Sequence, residues 1–216
     1  MTEFNDKKDS NVGLGNNNTA QKVIVVNVAK QQLSLRQLSL PKPSLPKPSL
    51  RKLAISQNID QNNPSHIQQY SEVIRNFDIS TAKNGIGSQE GSYCTPLGKH
   101  SIAAKIGTDL PINSVFVARE PTGEIYSEQL GQQYPDRDWI LTRILRLQGC
   151  EEGVNKGHNE LGCCDSYQRY IYIHGTPDTE PMGVPLSHGC VRMRNTDLIW
   201  LYEQVEQGTP VYITAS

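Results

Sequence analysis

Tyr172-Ile173-His174-Gly175-Thr176-Pro177 and, after a short loop, Pro185-Leu186-Ser187-His188-Gly189-Cys190-Val191-Arg192-Met193 decide how this chain is read. Tyr170 to His174 alternates aromatic residues with isoleucine, so the spacing predicts a strand that ends at His174-Gly175. The second segment is a glycine-flanked turn just ahead of a helix. A thiol acts as a nucleophile when a base can take its proton, when it is reachable, and when donors face the developing oxyanion. His174 or His188 can supply the base. Gly189 lets the backbone approach a substrate closely, and the N–H groups around Cys190 are placed for an oxyanion hole. Two plainer readings stand beside this one. Cys190 can be a small buried apolar residue, or His174, His188 and Cys190 can form a His₂Cys site for zinc or copper. No fourth ligand is evident, so neither a metal nor a cofactor is expected.

Downstream, Asn195 or Thr196 offers a helix N-cap, and Leu198, Leu201, Tyr202 and Val205 form an apolar stripe that Gly208 and Pro210 close. Val211-Tyr212-Ile213 makes a last strand. Upstream, strands are predicted over Lys22 to Val28, at Leu33 to Leu35, over Val73 to Ile79, Ile102 to Ile106 and Val115 to Arg119. Trp139 to Leu147 fits both helical and strand periodicity, and its composition favours a strand. Thr95-Pro96-Leu97-Gly98 is a turn signal. The expected fold is mostly β, a β-rich α+β domain of mixed sheets with one helix in the C-terminal region.

Two segments depart from this pattern. Residues 1–21 are polar and Asn-rich and are expected to be a disordered leader. From about 36 to 71 a low-complexity insertion interrupts the domain, with Ser39-Leu40-Pro41-Lys42-Pro43 repeated as Ser44-Leu45-Pro46-Lys47-Pro48. Four prolines in eight positions exclude helix and interior strand. The domain is thus expected over 22–216.

The net charge of −1 conceals a split: residues 1–52 carry a net +6 and residues 53–216 a net −7. The near-zero total argues against a dedicated nucleic-acid binder. No apolar stretch approaches the length of a membrane span. The start at Met1 lacks a signal-peptide pattern, so a cytoplasmic location is expected, with the periplasm or cell envelope as the alternative if export follows another route. The five cysteines are irregularly spaced, unlike a secreted disulfide framework.

His174-Gly175 followed by Ser187-His188-Gly189-Cys190-Val191-Arg192 resembles the signature of the L,D-transpeptidase catalytic domain family. Thr95-Pro96-Leu97-Gly98 resembles its Thr-Pro-x-Gly turn, and Val23 to Val28 its first strand. The resemblance covers about 22–35 and 72–213. It implies that Cys190 is the nucleophile and His174 the general base, with the Gly175 carbonyl orienting the ring. It implies support roles for Ser187 and His188, and oxyanion N–H groups on Gly189 and Cys190. Arg192 would steady the loop or a substrate carboxylate. The implied partners are peptidoglycan stem peptides or muropeptides, cut between the third residue, a diamino acid, and terminal D-Ala. Transfer to an amine would give a 3→3 cross-link, and transfer to water an L,D-carboxypeptidase. A cytoplasmic location favours trimming of recycled muropeptides. A non-catalytic peptidoglycan-binding module on the same fold is the rival reading. Nothing in the residues fixes an oligomeric state.

The remaining cysteines and histidines take structural readings. Cys150, His158, Cys163 and Cys164 match no common zinc spacing and are expected in an irregular loop near the mouth of the site, with a vicinal disulfide open to Cys163 and Cys164 under oxidation. Cys94 is read as structural, and His66 and His100 as lone histidines.

Overall fold

The computed structural model describes residues 21–38, 67 and 69–216. Most of the expected leader (1–21) and of the Pro-rich insertion (36–71), and His66, lie outside the described residues. In chain order the elements are β1 (Lys22–Asn27), β2 (Gln32–Leu38), β3 (Ser71–Asp78), β4 (Gly98–Ile106), β5 (Ser114–Val117), β6 (Glu120–Ile125), α1 (Glu128–Gln133), β7 (Ile140–Gly149), β8 (His158–Asn159), β9 (Gly162–Cys163), β10 (Tyr172–Gly175), β11 (Val191–Met193), α2 (Asn195–Gln204) and β12 (Pro210–Thr214). One mixed sheet runs β11-β10-β7-β4-β12-β1-β2-β3, with β5 and β6 attached at β7. The β1–β12 and β10–β11 pairs are parallel. The expected mostly β, mixed-sheet class is the one found.

Valine-rich β1 is central because both of its faces are covered. Ile24 and Val26 join the main core, whereas Val23 and Val25 pack on the other side with Leu38, Ile67 and Tyr212. The helical stripe Leu198, Leu201 and Tyr202 of α2 seals the main core over Ile173, Val191 and Val211. Strand β7 explains its own ambiguity. Leu145 and Leu147 enter the main core, while Leu141 and Ile144 belong to two clusters on the other side. A strand buried on both faces has no polar side, so its periodicity cannot distinguish it from a buried helix.

Several boundaries differ from expectation. Strand β2 runs to Leu38, beyond the expected start of the insertion, because β3 pairs with it as far as Leu38↔Ser71. The expected loop before Ser71 contributes to the core, since Ile67 is fully buried. The helix cap is Arg194, not Asn195 or Thr196, and makes no side-chain cap bond. Asn195 is drawn inward instead: its Nδ2 donates to Thr176 O at 2.8 Å and its Oδ1 accepts from Thr142 Oγ1 at 2.6 Å. The strand predicted from Tyr170 begins at Tyr172, because Tyr170 adopts φ 57°. A second helix, α1, was not expected. It is a short surface turn capped by Ser127, whose Oγ accepts from Leu130 N, and it buries no residue. The segment around Cys163 is not wholly irregular, since β8 and β9 form a small hairpin there.

Candidate active site

In the parallel β10–β11 pair, Ile173 lies opposite Val191 and His174 opposite Arg192. Side chains two apart share a face of a strand. Tyr172, His174, Cys190 and Arg192 therefore turn to one side and line a cavity of about 590 Å³. Ile171, Ile173, Val191 and Met193 turn to the other and anchor the pair in the core. The alternating pattern around His174 thus holds the histidine and the cysteine on one wall.

The turn before Cys190 is tied on three sides. Ser187 Oγ donates to Cys190 O at 2.6 Å and accepts from Gly189 N at 3.2 Å. Thr95 Oγ1 donates to Gly189 O at 2.9 Å and accepts from Ala82 N at 3.0 Å. Gly189 has φ +130°, and a Cβ there would lie 3.3 Å from both Cys94 O and Ile171 Cδ1. A side chain there would be strained by the backbone conformation and would crowd both neighbours. The Thr-Pro turn is thus more than a chain reversal, because its threonine fixes the carbonyl next to the thiol. The expectation that Gly189 offers an oxyanion N–H needs correction, since that N–H is directed to Ser187 Oγ.

The two histidines separate clearly. His174 is buried, and its Nδ1 lies 2.8 Å from Gly175 O. A carbonyl only accepts, so Nδ1 carries the proton and Nε2 has the lone pair. A Cβ on Gly175 would collide with Asn195 Oδ1 and Leu141 O, which is why glycine follows the histidine. His188 is mostly exposed and reaches Asp138 Oδ2 at 3.7 Å. Cys190 Sγ accepts from Tyr172 N at 3.4 Å and donates to Tyr170 O at 3.4 Å.

Burial pushes the Cys190 thiol up to about 12, and Asp138 adds to the rise. The Tyr172 N–H, Arg192 and Arg169 oppose it. Burial also holds the His174 imidazole below its usual range, against the pull of Asp138 and the Gly175 bond. Both groups therefore rest neutral near pH 7, a thiol and an imidazole lining one cavity.

Four residues around the cavity carried no signal in the sequence. Asp138 accepts from Arg192 at 2.8 Å, and Arg192 also lies 3.7 Å from Glu180. Arg169 donates to Cys94 O at 2.8 Å and, at longer range, to Gly87 O and Ser92 Oγ. Arg119 sits 4.5 Å over the Tyr170 ring and donates to Tyr172 Oη at 3.4 Å. Tyr170 supplies the carbonyl that receives the thiol. Only the fold brings these residues to Cys190.

Among the described residues, no group of three or more His, Cys, Asp or Glu side chains converges as a metal site would require, His174, His188 and Cys190 included. All five cysteines are free. Glu90 at the cavity wall donates its N–H to Cys163 O at 2.8 Å, which brings the Cys163 hairpin against the mouth of the site. His100 is fully buried, with Ser166 Oγ at 2.9 Å, a structural position.

A family model described as YkuD, L,D-transpeptidase catalytic domain, matches residues 58–213. The chain belongs to the L,D-transpeptidase catalytic domain family. It is 31% identical over 130 residues to the probable L,D-transpeptidase ErfK/SrfK of Salmonella typhimurium, covering 56% of this chain and 40% of that protein. It is 44% identical over 54 residues to the probable L,D-transpeptidase YbiS of Escherichia coli K12, covering 24% of this chain and 18% of that one. The matched parts thus span less than half the length of these relatives. Among solved structures it is similar to L,D-transpeptidase 3 from Mycobacterium tuberculosis, with 18% identity and a TM-score of 0.43 over 90% of this chain and 61% of that one.

Proposed function

We propose that this L,D-transpeptidase domain is a cysteine acyltransferase acting on peptidoglycan tetrapeptide stems, with Cys190 as nucleophile and His174 as general base. Cys190 Sγ attacks the carbonyl carbon between the third residue and terminal D-Ala while His174 Nε2 takes the thiol proton. The C–N bond breaks, the D-Ala amine leaves with the proton from His174, and a thioester remains on Cys190. The acceptor, water or a stem amine, returns its proton through His174 and regenerates the thiol. Transfer to water trims a tetrapeptide to a tripeptide, and transfer to an amine makes a 3→3 cross-link. The observation that carries this reading is the resting state of the pair. His174 and Cys190 line the same cavity, and the Gly175 carbonyl holds the Nδ1 proton, which leaves Nε2 unprotonated. A base in the wrong tautomer would be useless however close it lay.

The turn geometry supports the assignment of the other residues. Ser187 and Thr95 hold the backbone on either side of the nucleophile. The Cys190 N–H is the oxyanion donor in this reading, and Arg192 steadies the turn through Asp138. The test is incubation of the full chain with a disaccharide tetrapeptide, alone and with a second stem. D-Ala release is expected, with a thioester adduct on Cys190 seen by intact mass, and Cys190→Ala should lose both. A folded sample that releases no D-Ala in either mixture overturns the proposal. The product masses separate hydrolysis from cross-linking.

A further inference from the structure

The cavity beside Cys190 is lined by three guanidinium groups, and their charges are not treated alike. Arg192 is paired with Asp138 and lies near Glu180. Arg169 is spent on loop oxygens, chiefly the Cys94 carbonyl. Arg119 is held only by tyrosines: it donates to Tyr172 Oη at 3.4 Å and lies across the face of Tyr170. Among the described residues no carboxylate pairs with Arg119 or Arg169. The carboxylates on the wall are Asp138, already bound, and the exposed Glu90. A cleft whose fixed cations outnumber its anions attracts anionic ligands.

The way Arg119 is mounted singles it out. Val117 pairs with Glu120, so Ala118 and Arg119 alone connect β5 to β6. Their φ angles are 49° and 73°, the sign pattern of a type I′ hairpin turn, which favours Asn-Gly. A non-glycine residue held at positive φ is strained by the approach of its Cβ to the backbone carbonyl. The chain accepts this at two adjacent positions, and the result is an arginine at the tip of a hairpin against the reaction cavity. Stacking on Tyr170 pre-orients its planar fork. Such a fork suits bidentate capture of a carboxylate.

We propose that Arg119 is a specificity-determining residue that binds a carboxylate of the peptide acyl donor, so that acidic stems are preferred over amidated ones. The inference rests on reading the cavity as a peptide site. The carboxylate is either the C-terminal one of the leaving residue or a side-chain one further along the donor. A bond of this charge-assisted kind corresponds to about a 10- to 100-fold preference.

The experiment compares three tetrapeptides: both carboxylates free, the C-terminal one amidated, or the side-chain one amidated. With the wild-type chain, KM for release of the terminal residue (D-alaninamide from the C-terminal amide, D-Ala from the others) should rise about 10- to 100-fold for one of the two amides, which identifies the carboxylate that Arg119 reads. Arg119→Gln should bring the acid-to-amide ratio close to one, with the loss falling on KM more than on kcat, and Arg119→Lys should keep part of the preference. Binding of the same peptides to Cys190→Ala, measured by calorimetry, should show the same ratios without turnover. A chain that binds the acidic peptide selectively but never releases D-Ala defeats the acyl-transfer reading and keeps this one. Equal binding of all three peptides, no binding of any, or a ratio unmoved by Arg119→Gln overturns it.

Discussion

Asp138 sits in Asp136-Arg137-Asp138-Trp139, a run in which nothing distinguishes one acidic residue from the other, yet its carboxylate is the main anion facing the candidate pair. It holds Arg192 at 2.8 Å and raises both His174 and Cys190. Removing its charge therefore lowers both. Asp138→Asn should move the acid limb of kcat/KM, set by protonation of His174, to lower pH. Alkylation of Cys190 by iodoacetamide at pH 8 should become faster, because more thiolate is present. Unchanged profiles in both measurements would remove Asp138 from the electrostatics of the site. Cys190 and His174 could be singled out from the sequence because the turn and strand carrying them are short local patterns. Asp138, Arg169 and Arg119 could not, since each arrives from another part of the chain and arginine or aspartate on a loop is ordinarily a solvated surface residue.

Among the elements, the Thr95-Pro96-Leu97-Gly98 turn shows how a local signal can be read correctly and still be under-read. Its Thr95 hydroxyl bridges the Ala82 N–H and the Gly189 carbonyl, fully buried, and so links the turn to the nucleophile's own loop. Thr95→Val preserves shape but leaves both backbone groups unpaired, at a cost of about 1–3 kcal/mol. Its kcat should fall about 10- to 100-fold, as expected when a reacting group is displaced slightly, whereas Thr95→Ser should retain most activity. Urea unfolding and steady-state kinetics on both variants would check this, and a fully active Thr95→Val would show that the bridge is dispensable. Strand β1 and helix α2 were legible because composition and stripe agree with their burial. The cap of α2 was not, because Asn195 satisfies Thr142 and Thr176, partners distant in sequence. Helix α1 was overlooked because a six-residue surface helix has a cap signal and no apolar stripe.

At the scale of the whole molecule, His100 ties stability to pH. It is buried in β4, and burial lowers it from 6.5 to about 4, against the pull of its Gly98 bond. The unfolded chain binds this proton at about 6.5 and the folded chain does not until about pH 4. Stability is therefore full above pH 6.5 and falls as the pH drops from 6.5 to 4, by roughly 3 kcal/mol from this residue. His174, lowered in the same direction, adds to the loss. Unfolding free energies measured at pH 7.5 and 4.5 should differ accordingly, and His100→Gln should make that difference clearly smaller, leaving the His174 share. Equal pH dependence in the two proteins would assign acid sensitivity elsewhere. By itself, the sequence determined the mostly β class, the C-terminal helix, and the two short segments that carry His174 and Cys190. These depend on interactions within a few residues, where periodicity and turn chemistry act directly. The tertiary structure decided the strand order, the covering of both faces of β1 and β7, the tautomer of His174, and which arginines around the thiol have a carboxylate partner. Those follow from contacts between segments far apart in the chain, where burial and charge are set by neighbours that no local pattern names.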